Sequence, residues 1–236
     1  MRMLKRQLIH ARFSLVRGCF VGACLGVLPI VFLAITMVPF VGGGGVAEAQ
    51  STRYDVENSL QFNSASSRYL SKNFWAVGST TKWTFSAWVK KDSNGSFITI
   101  FSADIDTSNY SIFRFTSGNA IEFIAGGSGG SADKITTATY TSTSAWYHVV
   151  LAVDTSQATA ADRNRIYVNG TEVTSFSTNT NLSQNSGTFV TDNSNGSGTN
   201  VTHYIGRWGQ GNYFDGLMAD VSLVDGQQLT PSDFGY

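Results

Sequence analysis

The amino-acid sequence predicts an all-β fold, an antiparallel two-sheet sandwich that follows a separate N-terminal segment. Three observations predict it. From Ser59 onward, short runs alternate apolar and polar residues, which is the period of a half-buried strand. Clusters rich in Gly, Ser, Thr and Asn separate these runs, and no stretch with helical periodicity interrupts them. An aromatic content of 13% with only 3 prolines suits many short strands joined by tight turns.

Residues 1–49 form an export segment by composition. Five basic residues precede the first acidic one, Glu48, and residues 18–47 carry no charge. The "AEA" motif before Gln50 predicts a signal peptide with an Ala-x-Ala cleavage site. The apolar run also reaches the ~20 residues that span a bilayer, so an uncleaved signal anchor is the alternative. Either way, the basic start predicts export of everything that follows, to a secreted or cell-surface location. The membrane would be contacted only through this segment.

The exported part divides into a polar lead-in, residues 50–58, and one domain, residues 59–236. Both cysteines, Cys19 and Cys24, lie in the export segment, so the domain must fold without disulfides. Removing five basic residues and one acidic residue from the 16 of each leaves 11 basic and 15 acidic residues. This mildly acidic balance argues against nucleic-acid binding.

The strand signals follow one another at close spacing along the domain. The predicted strands are "SLQF", "YLS", "KWTFSAWVK", "SFITIFSA", "YSIFRFT", "AIEFIA", "KITTATY", "AWYHVVLAV", "RIYV", "TEVTSF", "THYIGRW" and "LMADVSLVD". Between "RIYV" and "TEV" stand Asn169 and Gly170, which tolerate the positive φ of both central positions in a type I′ turn. The stretch therefore predicts a β-hairpin.

Alternation assigns a face to each side chain. In "KWTFSAWVK", Phe85, Ala87 and Val89 are predicted to face the core, and Trp88 the other side. In "AWYHVVLAV" the core set begins at Tyr147, which leaves Trp146 and His148 on the opposite face. Two interpretations stay open for this second face: the tryptophans form a secondary core beneath loops, or they offer a platform on which sugar rings stack.

A second aromatic group lies in the glycine-rich "GRWGQGNYFDG", where Trp208 and Tyr213 are predicted to be exposed in a turn. Packing over the end of the sandwich is the alternative. The candidate ligand-binding residues are therefore Trp88, Trp146, His148, Trp208 and Tyr213.

Three stretches together resemble one family: "YLSKNFWAVGSTTKWTFSAWVKKD" with "ITIFSA", then "WYHVVLAVDTSQATAADRNRIYVNGTEVTSF", then "HYIGRWGQGNYFDGLMADVSLVDGQQLTPSDFG". They resemble the laminin-G-like, concanavalin A-like jelly roll, over Leu60 to the C-terminus. The most specific pieces are "WYHVVLAVD", "IYVNG" and "FDGLMADVSLVDGQQLTPSDF". The resemblance implies a jelly-roll sandwich and a binding module of the kind found in extracellular, adhesion or phage structural proteins.

The resemblance also raises calcium, which relatives of this fold often hold at a loop edge, although it does not fix the ligands. Oxygen-rich stretches offer four candidates: Asp104, Asp106, Asp192 and Asp215. The stretch beginning at Asp104 lacks the glycine and the glutamate of an EF-hand loop, so no coordination set is defined. No other cofactor is predicted.

Catalytic residues are not predicted. Related sandwich glycosidases place an acid and a nucleophile on one strand, because retaining hydrolysis needs two carboxylates roughly 5 Å apart. The exported part has three isolated glutamates, Glu57, Glu122 and Glu172. The favoured hypothesis is an exported, non-catalytic module that binds a glycan or a glycosylated surface. A structural or adhesive spacer in a surface or virion assembly is the alternative, and a glycan hydrolase or lyase ranks third.

Overall fold

The computed structural model describes residues 58–74, 76–127, 130–192 and 200–236, and thirteen strands within them form two antiparallel sheets. Sheet A contains, in spatial order, β1 (Leu60–Phe62), β13 (Gly216–Asp225), β3 (Lys82–Lys91), β8 (Tyr147–Asp154), β9 (Asn164–Val168) and β10 (Thr171–Glu172). Sheet B contains β11 (Phe176–Thr180), β7 (Ala132–Thr139), β6 (Ala120–Gly126), β5 (Tyr110–Phe115), β4 (Ile98–Asp104), β12 (Thr202–Ile205) and β2 (Leu70–Asn73). Short 3₁₀ helices lie at Ser64–Ser66, Ala160–Asp162 and Pro231–Phe234. The predicted jelly-roll sandwich is confirmed.

The core lies between the sheets, on the faces that alternation assigned to it. Phe85 and Val89 of β3 are fully buried, and so are Val149 and Leu151 of β8. Phe85 stacks on Phe101 of the opposite sheet with ring centroids 4.7 Å apart. Because both sheets contribute aromatic and branched side chains to one layer, burial of apolar surface holds the sandwich together without a disulfide.

The hairpin predicted at residues 165–173 is also present. Asn169 has φ 48° and Gly170 has φ 77°, as a type I′ turn requires. The Asn169 side chain accepts a hydrogen bond from the backbone N–H of His148 at 2.9 Å, which ties the turn to β8. The predicted strand "TEVTSF" differs from the structure: it is divided between β10 in sheet A and β11 in sheet B. Ladder pairing of β10 ends at Glu172, and Phe176 pairs instead with Thr136 of β7.

The outer face of sheet A is covered by residues 226–236, here named the C-terminal cover. Its 3₁₀ helix is set by local chemistry: the Thr230 and Asp233 side chains form a capping box, and Gly235 ends the helix at φ 81°. The backbone N–H of Leu229 donates to the hydroxyl of Thr84 on β3 at 2.9 Å. Phe234 packs on a second apolar cluster, formed by Val150, Ala152 and Tyr167.

A shorter loop, residues 206–215, lies against sheet B. The N–H of Gly206 donates to the carbonyl of Ile100, and the N–H of Thr99 donates to the carbonyl of Asn212. The Ser102 hydroxyl donates to the Arg207 carbonyl at 3.0 Å. This loop covers part of β4, buries Phe214 in the core and leaves Trp208 and Tyr213 partly exposed.

The export segment, residues 1–49, lies outside the described residues, as does all of the predicted lead-in except Asn58. The domain boundaries and the choice between signal peptide and anchor therefore stay predictions. In the part of the chain that is described, no helix has the length and apolar character needed to cross a membrane.

Candidate functional site

Three tyrosine rings surround one guanidinium group on sheet B. The Arg207 guanidinium carbon lies 4.5 Å from the ring centroid of Tyr69, 5.0 Å from that of Tyr204 and 5.3 Å from that of Tyr213. We call these four residues the Arg207 cluster. Tyr69 is 40% exposed, and the other three side chains are partly exposed. The cluster therefore offers both aromatic surface and a positive charge to solvent.

The cluster is assembled from segments that are distant in the sequence. Tyr204 lies on β12 between two buried core residues, His203 and Ile205, so alternation turns its ring outward. Strand β2 pairs antiparallel with β12, and this brings Tyr69 to within 5.8 Å of Tyr204, centroid to centroid. The ring of Tyr213, from the following loop, lies 6.2 Å from that of Tyr69.

Backbone carbonyls hold the arginine in place. Arg207 Nε donates to the carbonyl of Trp208 at 3.0 Å, and Nη2 donates to the carbonyl of Gly209. Trp208 and Gly211 exchange two backbone hydrogen bonds, which closes a tight turn around Gly209. The Trp208 ring meets the ring of Tyr110 edge to face at 5.8 Å. The guanidinium is thus positioned by the fold before any ligand arrives.

Asp104 lies buried beside this loop. Its carboxylate accepts hydrogen bonds from the Ser102 hydroxyl at 3.1 Å and from the Gly209 N–H at 3.3 Å. Burial raises the pKa of Asp104 to about 6, although these hydrogen bonds and the charge of Arg207 act in the opposite direction. A carboxylate that titrates near pH 6 therefore supports the turn that carries Trp208.

The structure brings the predicted residues Trp88 and His148 together, but beneath the C-terminal cover. The His148 ring is stacked on the ring of Tyr236 with centroids 5.3 Å apart and planes at 7°, and the Trp88 ring lies 5.8 Å from Tyr236. His148 Nε2 is 2.9 Å from the Ser86 hydroxyl, and burial lowers the pKa of the imidazole to about 4. A neutral, covered histidine is what a secondary core requires.

The remaining predicted residues lie at different places. Trp146 is partly exposed just before β8, on the side of His148, and is not part of the Arg207 cluster. Trp208 and Tyr213 both lie on the loop of the cluster. The sequence analysis missed Tyr69, Tyr204 and Arg207. The alternation in "VTHYIG" indicates that the side chain of Tyr204 faces outward. The position of Tyr69 depends on the pairing of β2 with β12, which local sequence does not predict.

Three of the four aspartates proposed for calcium, Asp104, Asp106 and Asp215, accept hydrogen bonds from backbone N–H groups. Asp106 Oδ1 accepts the N–H groups of Ser108 and Asn109 within its own turn. Asp215 Oδ1 accepts the N–H of Ser64 at 3.1 Å. Asp192 is partly buried at the end of a described range. Over the described ranges, no three His, Cys, Asp or Glu side chains are grouped to hold a metal ion. Calcium binding stays a prediction.

The two described glutamates lie on different sheets and are engaged in ion pairs. Glu122 of β6 pairs with Arg114 of β5, and Glu172 of β10 lies 3.7 Å from Arg165 of β9. Arg165 also pairs with Asp162 at 2.7 Å, so Asp162 and Glu172 share one guanidinium. Both glutamates are thus engaged in ion pairs within the protein.

Comparison with solved structures returns several sandwich proteins. A heptameric SAP-like pentraxin from Limulus polyphemus is 14% identical, with a TM-score of 0.48, over 75% of this chain and 79% of that one. Domain 4 of AbnA, a GH43 extracellular arabinanase from Geobacillus stearothermophilus crystallised with arabinotriose, is 21% identical, with a TM-score of 0.44, over 67% and 66%. The CBM40 of the Ruminococcus gnavus IT-sialidase, bound to α2,3 sialyllactose, is 14% identical, with a TM-score of 0.44, over 67% and 82%.

Comparison with family models gives a match over most of the chain. The laminin G model described as the concanavalin A-like lectin/glucanases superfamily matches residues 57–233. No curated protein matches the chain. The matched range begins just before β1 and ends in the C-terminal cover, so it includes all the strands of both sheets.

Proposed function

The chain belongs to the concanavalin A-like lectin/glucanases superfamily, and from this premise we propose that it is an exported, non-catalytic module that binds glycans through the Arg207 cluster. One observation carries the proposal: three partly exposed tyrosine rings converge on one positioned guanidinium. Sugar rings present apolar C–H faces that pack on aromatic rings, and their hydroxyls accept hydrogen bonds from a guanidinium.

The location of the aromatic surface supports this choice over the opposite face. Tyr69 is 40% exposed, whereas His148 on sheet A is 1% exposed and lies beneath Tyr236. A ligand reaches the three tyrosine rings without moving the protein. On sheet A it would have to displace the C-terminal cover to reach His148, although the covering ring of Tyr236 is itself 50% exposed. Preformed sites bind at lower cost than sites that must open.

The ion pairs that engage both described glutamates support recognition without catalysis. Ser86 and His148 form a hydroxyl–imidazole pair, but both are buried under the C-terminal cover. That burial favours a structural role for the pair over nucleophilic chemistry, which needs substrate access.

The test is a glycan array followed by polysaccharide pull-downs with the purified protein, in the presence of calcium and in the presence of a chelator. The key variant is Tyr69→Ala. Phe97→Ala is the matched control, because Phe97 is also 40% exposed and also covers a guanidinium, that of Arg114, at 4.2 Å. We expect Tyr69→Ala to weaken glycan capture about tenfold and Phe97→Ala to leave it unchanged.

Capture of no glycan under either condition would overturn the proposal. Unchanged attachment to cells by Tyr69→Ala, with no sugar bound by the parent protein, would favour the adhesive spacer instead. Release of reducing sugar or unsaturated product from a polysaccharide would show an enzyme.

A further inference from the structure

We infer that the glycan bound by the Arg207 cluster is acidic, with a carboxylate or sulfate group that pairs with the guanidinium of Arg207. This inference rests on the proposed function and specifies its ligand class. Within the described residues, no carboxylate lies within ion-pair distance of the Arg207 guanidinium.

Arg114 gives the first comparison, since its guanidinium also lies against an aromatic ring. Arg114 Nε is paired with the carboxylate of Glu122, and both side chains are largely buried. The charge of Arg114 is thus neutralised within the protein. Arg207 has three such aromatic contacts but no direct ion pair among the described residues, and the charge of Asp104 acts on it only from beyond ion-pair distance.

Arg163 gives the second comparison, because it too is held by backbone carbonyls. Its Nε, Nη1 and Nη2 donate to the carbonyls of Gln157, Leu182 and Ala158, so all three nitrogens have acceptors. That pattern is complete and serves to tie loops together. In Arg207 only Nε and Nη2 have acceptors among the described residues, and Nη1 has none.

The Nη1 edge, which has no acceptor among the described residues, determines the ligand chemistry that we infer. A guanidinium that is fixed on one side and open on another presents donors in the planar geometry that matches a carboxylate or sulfate. The tyrosine rings lower the local polarity, which strengthens the pairing of opposite charges. Asp104 is the carboxylate whose pKa Arg207 affects, and its Oδ1 accepts from Ser102 and Gly209, but it lies beyond ion-pair distance of the guanidinium.

The overall charge makes such binding selective. The exported part has more acidic than basic residues, so its net charge does not attract a polyanion. Affinity for an acidic sugar must therefore come from the local positive charge, and removal of that one charge is a clean test.

The experiment uses matched probes that differ in charge alone. Oligogalacturonate presents free carboxylates, its methyl ester is the neutral counterpart, and a sulfated galactan oligosaccharide distinguishes sulfate from carboxylate. Binding is measured by titration calorimetry at low and at high NaCl. The variants are Arg207→Gln and, as control, Lys90→Gln, which removes one charge from sheet A.

We expect one acidic probe to bind at least tenfold more tightly than the neutral ester, with weaker binding at high salt. Arg207→Gln should remove this difference, and Lys90→Gln should keep it. Circular dichroism and the thermal midpoint establish that Arg207→Gln is folded.

Equal binding of acid and ester, or an acid preference that survives Arg207→Gln, would overturn the inference. If either of those results is obtained but neutral glycans bind and Tyr69→Ala weakens that binding, the proposed function is supported and only the acidic specificity is wrong. If no glycan of either kind binds, both fall together.

Discussion

The outer faces of the two sheets contain similar aromatic residues but are covered to different extents. On sheet A, Trp88 and His148 lie under the C-terminal cover, with Tyr236 stacked on the imidazole at 5.3 Å. On sheet B, the rings of the Arg207 cluster stack around a guanidinium and remain partly exposed. In both places an aromatic ring contacts a nitrogen-containing group. On sheet A the contacting ring is that of Tyr236, which belongs to the C-terminal cover.

This difference separates a structural role from a binding role. Where the chain supplies the covering ring itself, the aromatic contact contributes to the free energy of unfolding. Where no chain segment covers the rings, the same contact energy is available to a ligand. Substitutions should therefore affect stability on sheet A and affinity on sheet B.

The largest expected effect is on sheet A. Trp88→Ala removes the ring that packs against His148 and Tyr236, and we expect the free energy of unfolding to fall by about 3 kcal/mol. Urea unfolding followed by fluorescence measures the change. Affinity of the folded fraction for a glycan should not change. A loss of affinity with little loss of stability would instead assign binding to sheet A.

The pH dependence of stability should have opposite signs in the two regions. The pKa of His148 is lowered to about 4, so between pH 6.5 and about 4 the unfolded chain binds a proton that the folded protein does not. Stability contributed by the buried neutral imidazole is therefore lost as the pH falls through this window. The pKa of Asp104 is raised to about 6, so here the folded protein binds the extra proton between about 6 and 4. Stability from this group rises as the pH falls.

Urea unfolding at pH 7, 5.5 and 4.5 measures both contributions. Compared with the parent protein, His148→Gln should lose less stability on acidification, and Asp104→Asn should lose more. Burial lowers the pKa of His203 to about 3, so His203 contributes the same loss of stability at low pH to the parent protein and to both variants. Identical pH profiles for the two variants would refute the assignment of opposite signs.

Substitutions of two tyrosines, Tyr213 and Tyr236, separate effects on affinity from effects on stability. Tyr213→Ala should lower glycan affinity about tenfold and change the free energy of unfolding by less than about 0.5 kcal/mol. Tyr236→Ala should do the reverse, with a loss of about 1 kcal/mol in stability and unchanged affinity, because its ring covers His148. Calorimetric titration and thermal unfolding of the same samples give both quantities.

The last comparison is between two glycines, one of them in the hairpin turn. A Cβ at Gly170 would overlap the ring of Tyr236, and φ is 77° there. Gly95 has a similar φ of 85°, and a Cβ added at Gly95 would meet no atom within 4 Å. Gly95→Ala therefore reports backbone strain alone, about 1 kcal/mol. Gly170→Ala should cost about 1 kcal/mol more, through displacement of Tyr236. Equal costs would show that the Tyr236 contact adds nothing to stability.

Much of the fold could be predicted because it depends on local rules. Alternation placed Phe85 and Val149 in the core, and Asn169 and Gly170 specified the turn. The division of "TEVTSF" between two sheets was not predicted, because the ladder of β10 ends for tertiary reasons that the apolar pattern does not contain.

The candidate site was predicted only in part. The glycine-rich context indicated Trp208 and Tyr213, but Tyr69 joins them through pairing between strands more than 100 residues apart in the chain. The C-terminal cover presents the same difficulty. The capping box of Thr230 and Asp233 depends on local residues, yet nothing local indicates that Tyr236 stacks on His148.

Hydrogen exchange with and without oligogalacturonate is the most direct test of the central claim that ligands bind on sheet B and that sheet A is closed. We predict that backbone amides of residues 202–214 gain protection on binding, while those of residues 226–236 and of β8 are unchanged. Protection that appears over residues 226–236 and β8, with none over residues 202–214, would contradict the account.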